Sequence, residues 1–316
     1  ALYVLPPSVA EVLVAVAIGL VIANAGVLPA SLRASTRPGI QFAVKRLLRA
    51  GIVLLGARLS LHEVVAIGAS SIGLVVVLMT CALVFALIVG RALKLPPRLC
   101  VLIGVGTSVC GNTAIVATAP VIGADEREVS FAVATITLIG TAAVLLYPII
   151  GHAIDLSATA YGTWCGVAVN DTSQVVAASA AYDPHSLDVA SVVKLTRNAL
   201  MAPLLVGIAL FGAPRLREQG ARTVGARAGA LNAVPLFVVG FLALSLLRTL
   251  DVVSKDMSSY FDVPAKALIL CALAGVGLQT VVGDLRKTGP KPFVLGLCTA
   301  ILTASLGLFG IHLLAL

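Results

Sequence analysis

Apolar, uncharged runs separated by short polar connectors recur along the whole chain. Each run reaches about 20 residues, the length at which a helix crosses a bilayer. The pattern therefore predicts an all-α polytopic membrane protein with a single transmembrane domain over residues 1–316. The ten predicted spans are 8–28, 42–61, 64–90, 98–122, 129–151, 159–181, 190–211, 228–248, 264–283 and 291–314.

Composition agrees with this pattern and excludes several classes of protein. Of 316 residues, 59% are hydrophobic and 11% charged, against about a quarter charged in a soluble domain. The net charge of +8 resides mostly in short connectors, where orientation in the membrane accounts for it, so no nucleic-acid partner is expected. The six cysteines form no CxxC or Cys/His cluster, and we expect no metal site and no cofactor. Without a visible nucleophile–base pair, an enzyme is not expected either.

The lysines and arginines are distributed unevenly among the connectors. When connectors are numbered from the first span, 15 of the 22 basic residues lie in or beside the odd ones and 7 in or beside the even ones. The positive-inside rule then places the odd connectors in the cytoplasm and the carboxyl terminus on the outer side of the membrane. The amino terminus would also lie outside, and without a visible signal sequence this suggests one more helix upstream of Ala1.

Span four differs from an ordinary lipid-facing helix. Between Gly104 and Pro120 it is rich in glycine and small polar residues, which are disfavoured in a helix interior. Broken helices are tolerated at membrane depth where they line a cavity, so we predict a break near Gly111 and an anion-binding helix start after it. The alternative is a small-residue face for close helix packing. The candidate substrate-binding residues are Thr107, Ser108, Cys110, Gly111, Asn112 and Thr113.

Span six carries a carboxylate, Asp171, within an apolar run. A charge at mid-span costs about 2.5–3.5 kcal/mol on insertion scales and typically marks an ion or proton path. We predict that Asp171 couples transport to H⁺ or Na⁺, with Asn170 and Gln174 beside it as substrate-binding candidates. The alternative is a structural ion pair with a buried cation. The charge-pairing candidates are Arg58, Lys194 and Arg197.

Two short matches suggest that the halves of the chain are inverted repeats. The basic pair 46/49 in span two matches the pair 194/197 in span seven, and Gly-Val-Gly from residue 104 matches Gly-Val-Gly from residue 275. Both matches join span n to span n+5, and since five is odd, the halves would have opposite topology. The predicted repeats cover approximately 8–151 and 159–314.

Four stretches, read together, resemble a family of bacterial inner-membrane proteins designated sulfate exporters. The resemblance extends over residues 10–314. The stretches that carry it are Arg37-Pro-Gly-Ile followed by Leu48 to Leu59, Gly104 to Pro120, Asn170 to Ala178, and Val193 to Arg197.

That family is similar to the bile acid, arsenite and riboflavin transporter superfamily, whose members have two inverted five-helix repeats and a pair of crossed, broken helices. The resemblance implies that span four crosses a span nine broken between Gly275 and Gln279, and it adds Gln279 to the substrate-binding candidates. Two departures stand out. The family often has His where this chain has Asn170, and it usually has one more amino-terminal helix.

Together these features predict a secondary active transporter of a small anion, sulfate or a related oxyanion or organic anion, that works by alternating access. One alternative is a Na⁺/H⁺-type cation antiporter, because Asn-Asp within a span resembles the motif of such exchangers. The other is an anion channel. The lipid bilayer and a small anion are the expected partners, with a homodimer as an open alternative to a monomer. We interpret Lys45 and Arg46 as side chains that reach the lipid headgroups.

Overall fold

The computed structural model describes residues 7–25, 29–57, 59–212, 236–279 and 290–314, which are almost entirely helical and contain no strand. A π-helical turn, Ala43–Leu47, joins α2 to α3, and another, Ile208–Gly212, follows α11. The α-helices are α1 Pro7–Asn24, α2 Ala30–Phe42, α3 Leu48–Leu55, α4 Leu61–Ala92, α5 Pro97–Ser108, α6 Asn112–Ile122, α7 Glu126–Ala153, α8 Ala158–Ala168, α9 Thr172–Ala180, α10 Pro184–Ala199, α11 Met201–Gly207, α12 Leu236–Thr249, α13 Lys255–Gln279 and α14 Pro290–Leu314.

Every predicted span overlaps one helix or a group of consecutive helical segments. These apolar helices support a membrane protein, while the number of ten crossings and the inverted repeat remain predictions. The described stretches that are long and apolar enough to cross a membrane are Ser71–Ala92, Arg127–Ala153, Pro184–Leu210 and Pro290–Leu314.

Polar residues in the connectors determine where the long helices begin. The Ser60 side chain accepts a hydrogen bond from the Glu63 amide, and the Glu63 carboxylate accepts one from the Ser60 amide at 2.7 Å. Asp125 and Glu128 form the same reciprocal pair at the start of α7. Such pairs satisfy amides that the first helical turn leaves without partners. The hydrogen bonds from Ser60 also lower the pKa of Glu63, because they stabilise its charged form.

The helices pack into two bundles. The large bundle consists of α4–α11 and α14, and the small bundle of α1–α3, α12 and α13. Trp164 and Ile103 lie in the core of the large bundle. A second apolar cluster, with Ile52 and Leu273 from the small bundle and Val176 from the large one, joins the two.

Spans four and six are each interrupted near their middle by three residues outside the helices, whereas span seven has a one-residue turn at Leu200 between α10 and α11. Span four breaks as predicted, since α5 ends at Ser108 and α6 begins at Asn112. The other interruption lies in span six, where α8 ends at Ala168 and α9 begins at Thr172. The structure therefore brings together the breaks of spans four and six.

The expectation that span nine breaks between Gly275 and Gln279 is wrong. Helix α13 continues through Gly275 to Gln279, and residues 280–289 lie outside the described part of the chain. A Cβ added at Gly275 would lie 2.8 Å from Val44 Cγ2. The glycine allows α13 to pack closely against the turn that precedes α3, which is the packing use of small residues rather than a helix break.

Candidate functional site

The two helix breaks contact each other at Gly111 and Asp171. A Cβ added at Gly111 would lie 3.2 Å from the Asp171 Cα, Cβ and Oδ2 atoms. Gly111 also has φ +62° and ψ −126°, a backbone conformation that is essentially restricted to glycine. Glycine at this position therefore gives the chain its break and lets the second break approach.

The start of α6 has no side-chain cap. Its first intrahelical hydrogen bond runs from the Ile115 amide to the Gly111 carbonyl at 3.2 Å, so the amides of residues 112–114 precede the helical ladder. Free amides and the helix dipole together place about half a positive charge at a helix start. This end of α6 therefore carries partial positive charge, and anion binding there stays a prediction.

The start of α9 is capped by Asp171. Its Oδ1 accepts hydrogen bonds from the Ser173 amide at 2.9 Å and the Ser173 hydroxyl at 2.7 Å. The buried Gln174 completes the pair by accepting from the Asp171 amide through Oε1, and its Nε2 donates to the Thr137 carbonyl at 3.0 Å. The carboxylate thus has one occupied oxygen and is only partly buried.

Lys194 and Arg197 do not pair with Asp171 in this structure. Both are fully enclosed in the large bundle, and both donate to main-chain carbonyls of the two breaks. Lys194 Nζ lies 2.7 Å from the Val109 oxygen and 3.0 Å from the Val169 oxygen, and Arg197 Nε lies 2.6 Å from the Ser108 oxygen. The full set of acceptors comprises Thr107, Ser108, Val109, Gly166, Val169 and Asn170.

We call this pair, Lys194 and Arg197, the carbonyl clamp. Helices α5 and α8 both end at the breaks, where their last carbonyls lack helical partners and carry partial negative charge. Two cations satisfy these carbonyls and hold the breaks together. We expected Lys194 and Arg197 to pair with a carboxylate, but their hydrogen-bond partners are backbone oxygens instead.

A cavity of about 170 Å³ lies beside the breaks, between the two bundles. The small bundle contributes mainly apolar side chains together with Arg49 and Gln279, and the large bundle contributes mainly polar ones. The lining residues are Val44, Leu48, Arg49, Ile52, Phe237, Val276 and Gln279 from the former, and Cys110, Asn112, Thr113, Thr137, Asp171, Thr172, Ser173, Gln174, Asn198 and Met201 from the latter.

The predicted site residues divide into two groups. Those that line the cavity are Cys110, Asn112, Thr113, Asp171, Gln174 and Gln279. Thr107 and Ser108 are buried and donate to carbonyls of their own helix, those of Ile103 and Val105. Gly111 shapes the break, and Asn170 is buried and does not line the cavity. Arg58 lies outside the described residues.

Arg49 is a cavity residue that the sequence analysis missed. Its guanidinium lies over the Phe237 ring, 5.6 Å from the centroid, and the side chain remains exposed. Its placement seven residues inside span two, rather than at its end, was the available signal. Arg46 is also exposed but does not line the cavity.

Comparisons with known proteins identify a family but no solved fold. The family described as "Conserved hypothetical protein 698" matches residues 3–296. A protein named UPF0324 membrane protein from Fusobacterium nucleatum is 33% identical, covering 87% of this chain and 84% of its own. Similar proteins of that name from Streptococcus pyogenes and Streptococcus mutans are 35% and 34% identical, covering 86% and 87% of this chain and 81% and 83% of theirs. No solved structure matches.

Proposed function

This chain belongs to the family described as "Conserved hypothetical protein 698", and we propose that it is a secondary active transporter of a small anion. Sulfate or a related oxyanion or organic anion is the expected substrate, in agreement with the resemblance of four sequence stretches to sulfate exporters. The proposed location is the bacterial inner membrane, with the carboxyl terminus in the periplasm.

The observation that carries this proposal is the charge placed in the cavity. Arg49 supplies a full positive charge from the small bundle, and the uncapped start of α6 supplies a partial one from the large bundle. Charge-assisted hydrogen bonds to an oxyanion are roughly twice as strong as neutral ones. An anion bound here would contact both bundles at once.

Alternating access follows from the division of the lining. Because the cavity lies between the two bundles, a rigid-body movement of one against the other, with repacking of the apolar cluster that joins them, would open it first to one side of the membrane and then to the other. The carbonyl clamp, Lys194 and Arg197, joins the breaks within the large bundle. Both breaks would therefore move as one body.

Coupling follows from electrostatics. Asp171 lines the same cavity as the proposed anion site, and two like charges about 4 Å apart repel by about 4 kcal/mol at an effective dielectric of 20. A dianion would therefore bind together with a cation or a proton at Asp171. Transport coupled to H⁺ or Na⁺ is the consequence.

The placement of Asp171 also favours the second candidate, a Na⁺/H⁺-type antiporter. The two functions differ in a simple measurement, since an antiporter releases protons when Na⁺ is added in the absence of any transported anion. An anion channel would differ from both, because its flux would not saturate and would not accelerate with anion on the opposite side.

The Arg49→Gln variant tests the anion proposal. We expect it to lose one charged contact worth about 1.5–3 kcal/mol, so that the sulfate concentration for half-maximal uptake rises about ten- to hundredfold. Uptake of labelled sulfate into proteoliposomes measures this. If sulfate is not taken up by the parent, the same comparison is made with the best anion of a small panel.

Arg46→Gln is the matched control for this variant. It removes the same charge from the same segment of the chain at an exposed position outside the cavity. Equal half-maximal concentrations for Arg49→Gln, Arg46→Gln and the parent protein would show that Arg49 does not bind the transported anion.

A further inference from the structure

Three asparagine side-chain oxygens at or beside the helix breaks are buried and lack a hydrogen-bond partner among the described residues. They are Oδ1 of Asn112, Asn170 and Asn198. A buried acceptor without a partner costs about 1–3 kcal/mol, so a cluster of them at one place calls for an explanation. Asn170 does not line the cavity, whereas Asn112 and Asn198 do.

The amide nitrogens of the two cavity asparagines are held by threonine hydroxyls. Asn112 Nδ2 donates to Thr137 Oγ1 at 2.9 Å, and Asn198 Nδ2 lies 3.4 Å from Thr172 Oγ1. Both threonines line the same cavity. Each hydrogen bond fixes the orientation of its amide and leaves the oxygen for a different partner. The Asn198 side chain is almost completely buried, with 3% exposure.

Asp171 adds a negative charge to these neutral oxygens. Its Oδ1 accepts from Ser173, whereas Oδ2 lies beside Gly111, next to Asn112 in the chain. The available donor atoms are thus one carboxylate oxygen, two amide oxygens and two threonine hydroxyls. Hard cations prefer such oxygen ligands. The described residues contain no group of three or more His, Cys, Asp or Glu that could hold a metal ion, so the set lacks the ligands of a transition-metal site.

We propose that Asp171, Asn112 and Asn198 bind a single monovalent metal cation, and that the ion is Na⁺. A single carboxylate balances one positive charge, which favours a monovalent ion over a divalent one. The carbonyl clamp adds positive charge nearby, but its hydrogen bonds are made with backbone oxygens at the ends of α5 and α8. The inference rests on the proposed function only in that this cation would be the coupling ion.

The test is Na⁺ binding to the purified, detergent-solubilised protein in the absence of any transported anion. Choline chloride is replaced stepwise by NaCl at constant chloride concentration, with KCl as the second arm, and thermal unfolding is followed. A ligand that binds only the folded state raises its apparent stability. We expect the unfolding temperature of the parent to rise with Na⁺ and to saturate, with a smaller response to K⁺.

Two variants locate the site. Asn198→Leu keeps the side-chain volume and removes the amide oxygen, and Asp171→Asn removes the charge but retains a residue that caps helices well. Each is expected to weaken the Na⁺ response by about tenfold or more. Thr135→Val is the matched control, since Thr135 Oγ1 is also buried without a hydrogen-bond partner among the described residues but lies outside the cavity lining.

The outcomes separate this site from the proposed transport. The cation site would be overturned if the unfolding temperature of the parent protein does not change with Na⁺, or changes only with pH. It would also be overturned if both variants respond to Na⁺ as the parent does. If Na⁺ binds as expected but no anion is transported, the proposed cation site is supported and the proposed anion transport is rejected. If anions are transported but Na⁺ does not change the unfolding temperature, the anion transport is supported and the cation site is rejected.

Discussion

Lys194→Met is expected to unfold or severely destabilise the protein. Methionine preserves the side-chain volume and avoids burying a charge, but it leaves the Val109 and Asn170 carbonyl oxygens without their donor, while the Val169 oxygen keeps Arg197 Nη1. At about 1–3 kcal/mol for each buried carbonyl that loses its donor, the two together cost about 2–6 kcal/mol. The total free energy of unfolding of a protein is about 5–15 kcal/mol, so this loss is a large part of it and we expect a large fraction of the molecules to unfold.

The monodisperse fraction on size exclusion and the thermal unfolding temperature measure this effect. Lys291→Met is the control, because it makes the same substitution at an exposed lysine at the start of α14. A Lys194→Met protein that unfolds at the parent temperature but no longer binds the anion would place Lys194 in the substrate site. The carbonyl clamp would then be the wrong interpretation.

Gly111→Ala is expected to abolish transport while leaving most of the helices intact. The methyl group would force φ +62° on an alanine, at a cost of about 1–3 kcal/mol. It would also press on the Asp171 backbone and carboxylate, from which it would lie 3.2 Å. A displacement of about 1 Å in a binding site can reduce activity about a hundredfold.

Initial rates of anion uptake, normalised to the amount of reconstituted protein, measure the effect of Gly111→Ala. The matched control is Gly73→Ala in the long helix α4, where an added Cβ meets no atom within 4 Å. Equal uptake by the two variants would mean that contact between the breaks is not needed for transport.

The positions of the helices could be predicted from the sequence because they depend on local hydrophobic runs. The break at Gly111 was also visible, since glycine and small polar residues interrupt an apolar span there. The break at Asp171 was missed, although a local signal was present. Asp171 and Gln174 have the spacing of a helix-start capping pair, but we predicted residues 159–181 as a single uninterrupted span.

The Gly-Val-Gly match shows where local sequence is insufficient. The same three residues occur before the break in span four and inside the continuous helix α13. At Gly275 the glycine accommodates Val44 from a distant part of the chain. Whether a glycine breaks a helix or lets it pack closely depends on that partner, which the sequence does not reveal.

The roles of the basic residues also depend on contacts that the local sequence does not reveal. Lys194 and Arg197 are buried because two segments far away in the chain end at the same place and leave carbonyls to be satisfied. Arg46 and Arg49 are one helical turn apart, and only Arg49 reaches the cavity. Charge counts can orient a membrane protein, but the roles of individual cations depend on tertiary contacts.

The most direct measurement is exchange of labelled sulfate and a panel of small oxyanions and carboxylates into proteoliposomes preloaded with the same unlabelled anion. We predict saturable uptake of at least one anion, accelerated by unlabelled anion inside, as alternating access requires. Arg49→Gln should lower the affinity, whereas Arg46→Gln should not. Uptake that equals that of protein-free liposomes for every anion would contradict the proposal that this cavity transports small anions.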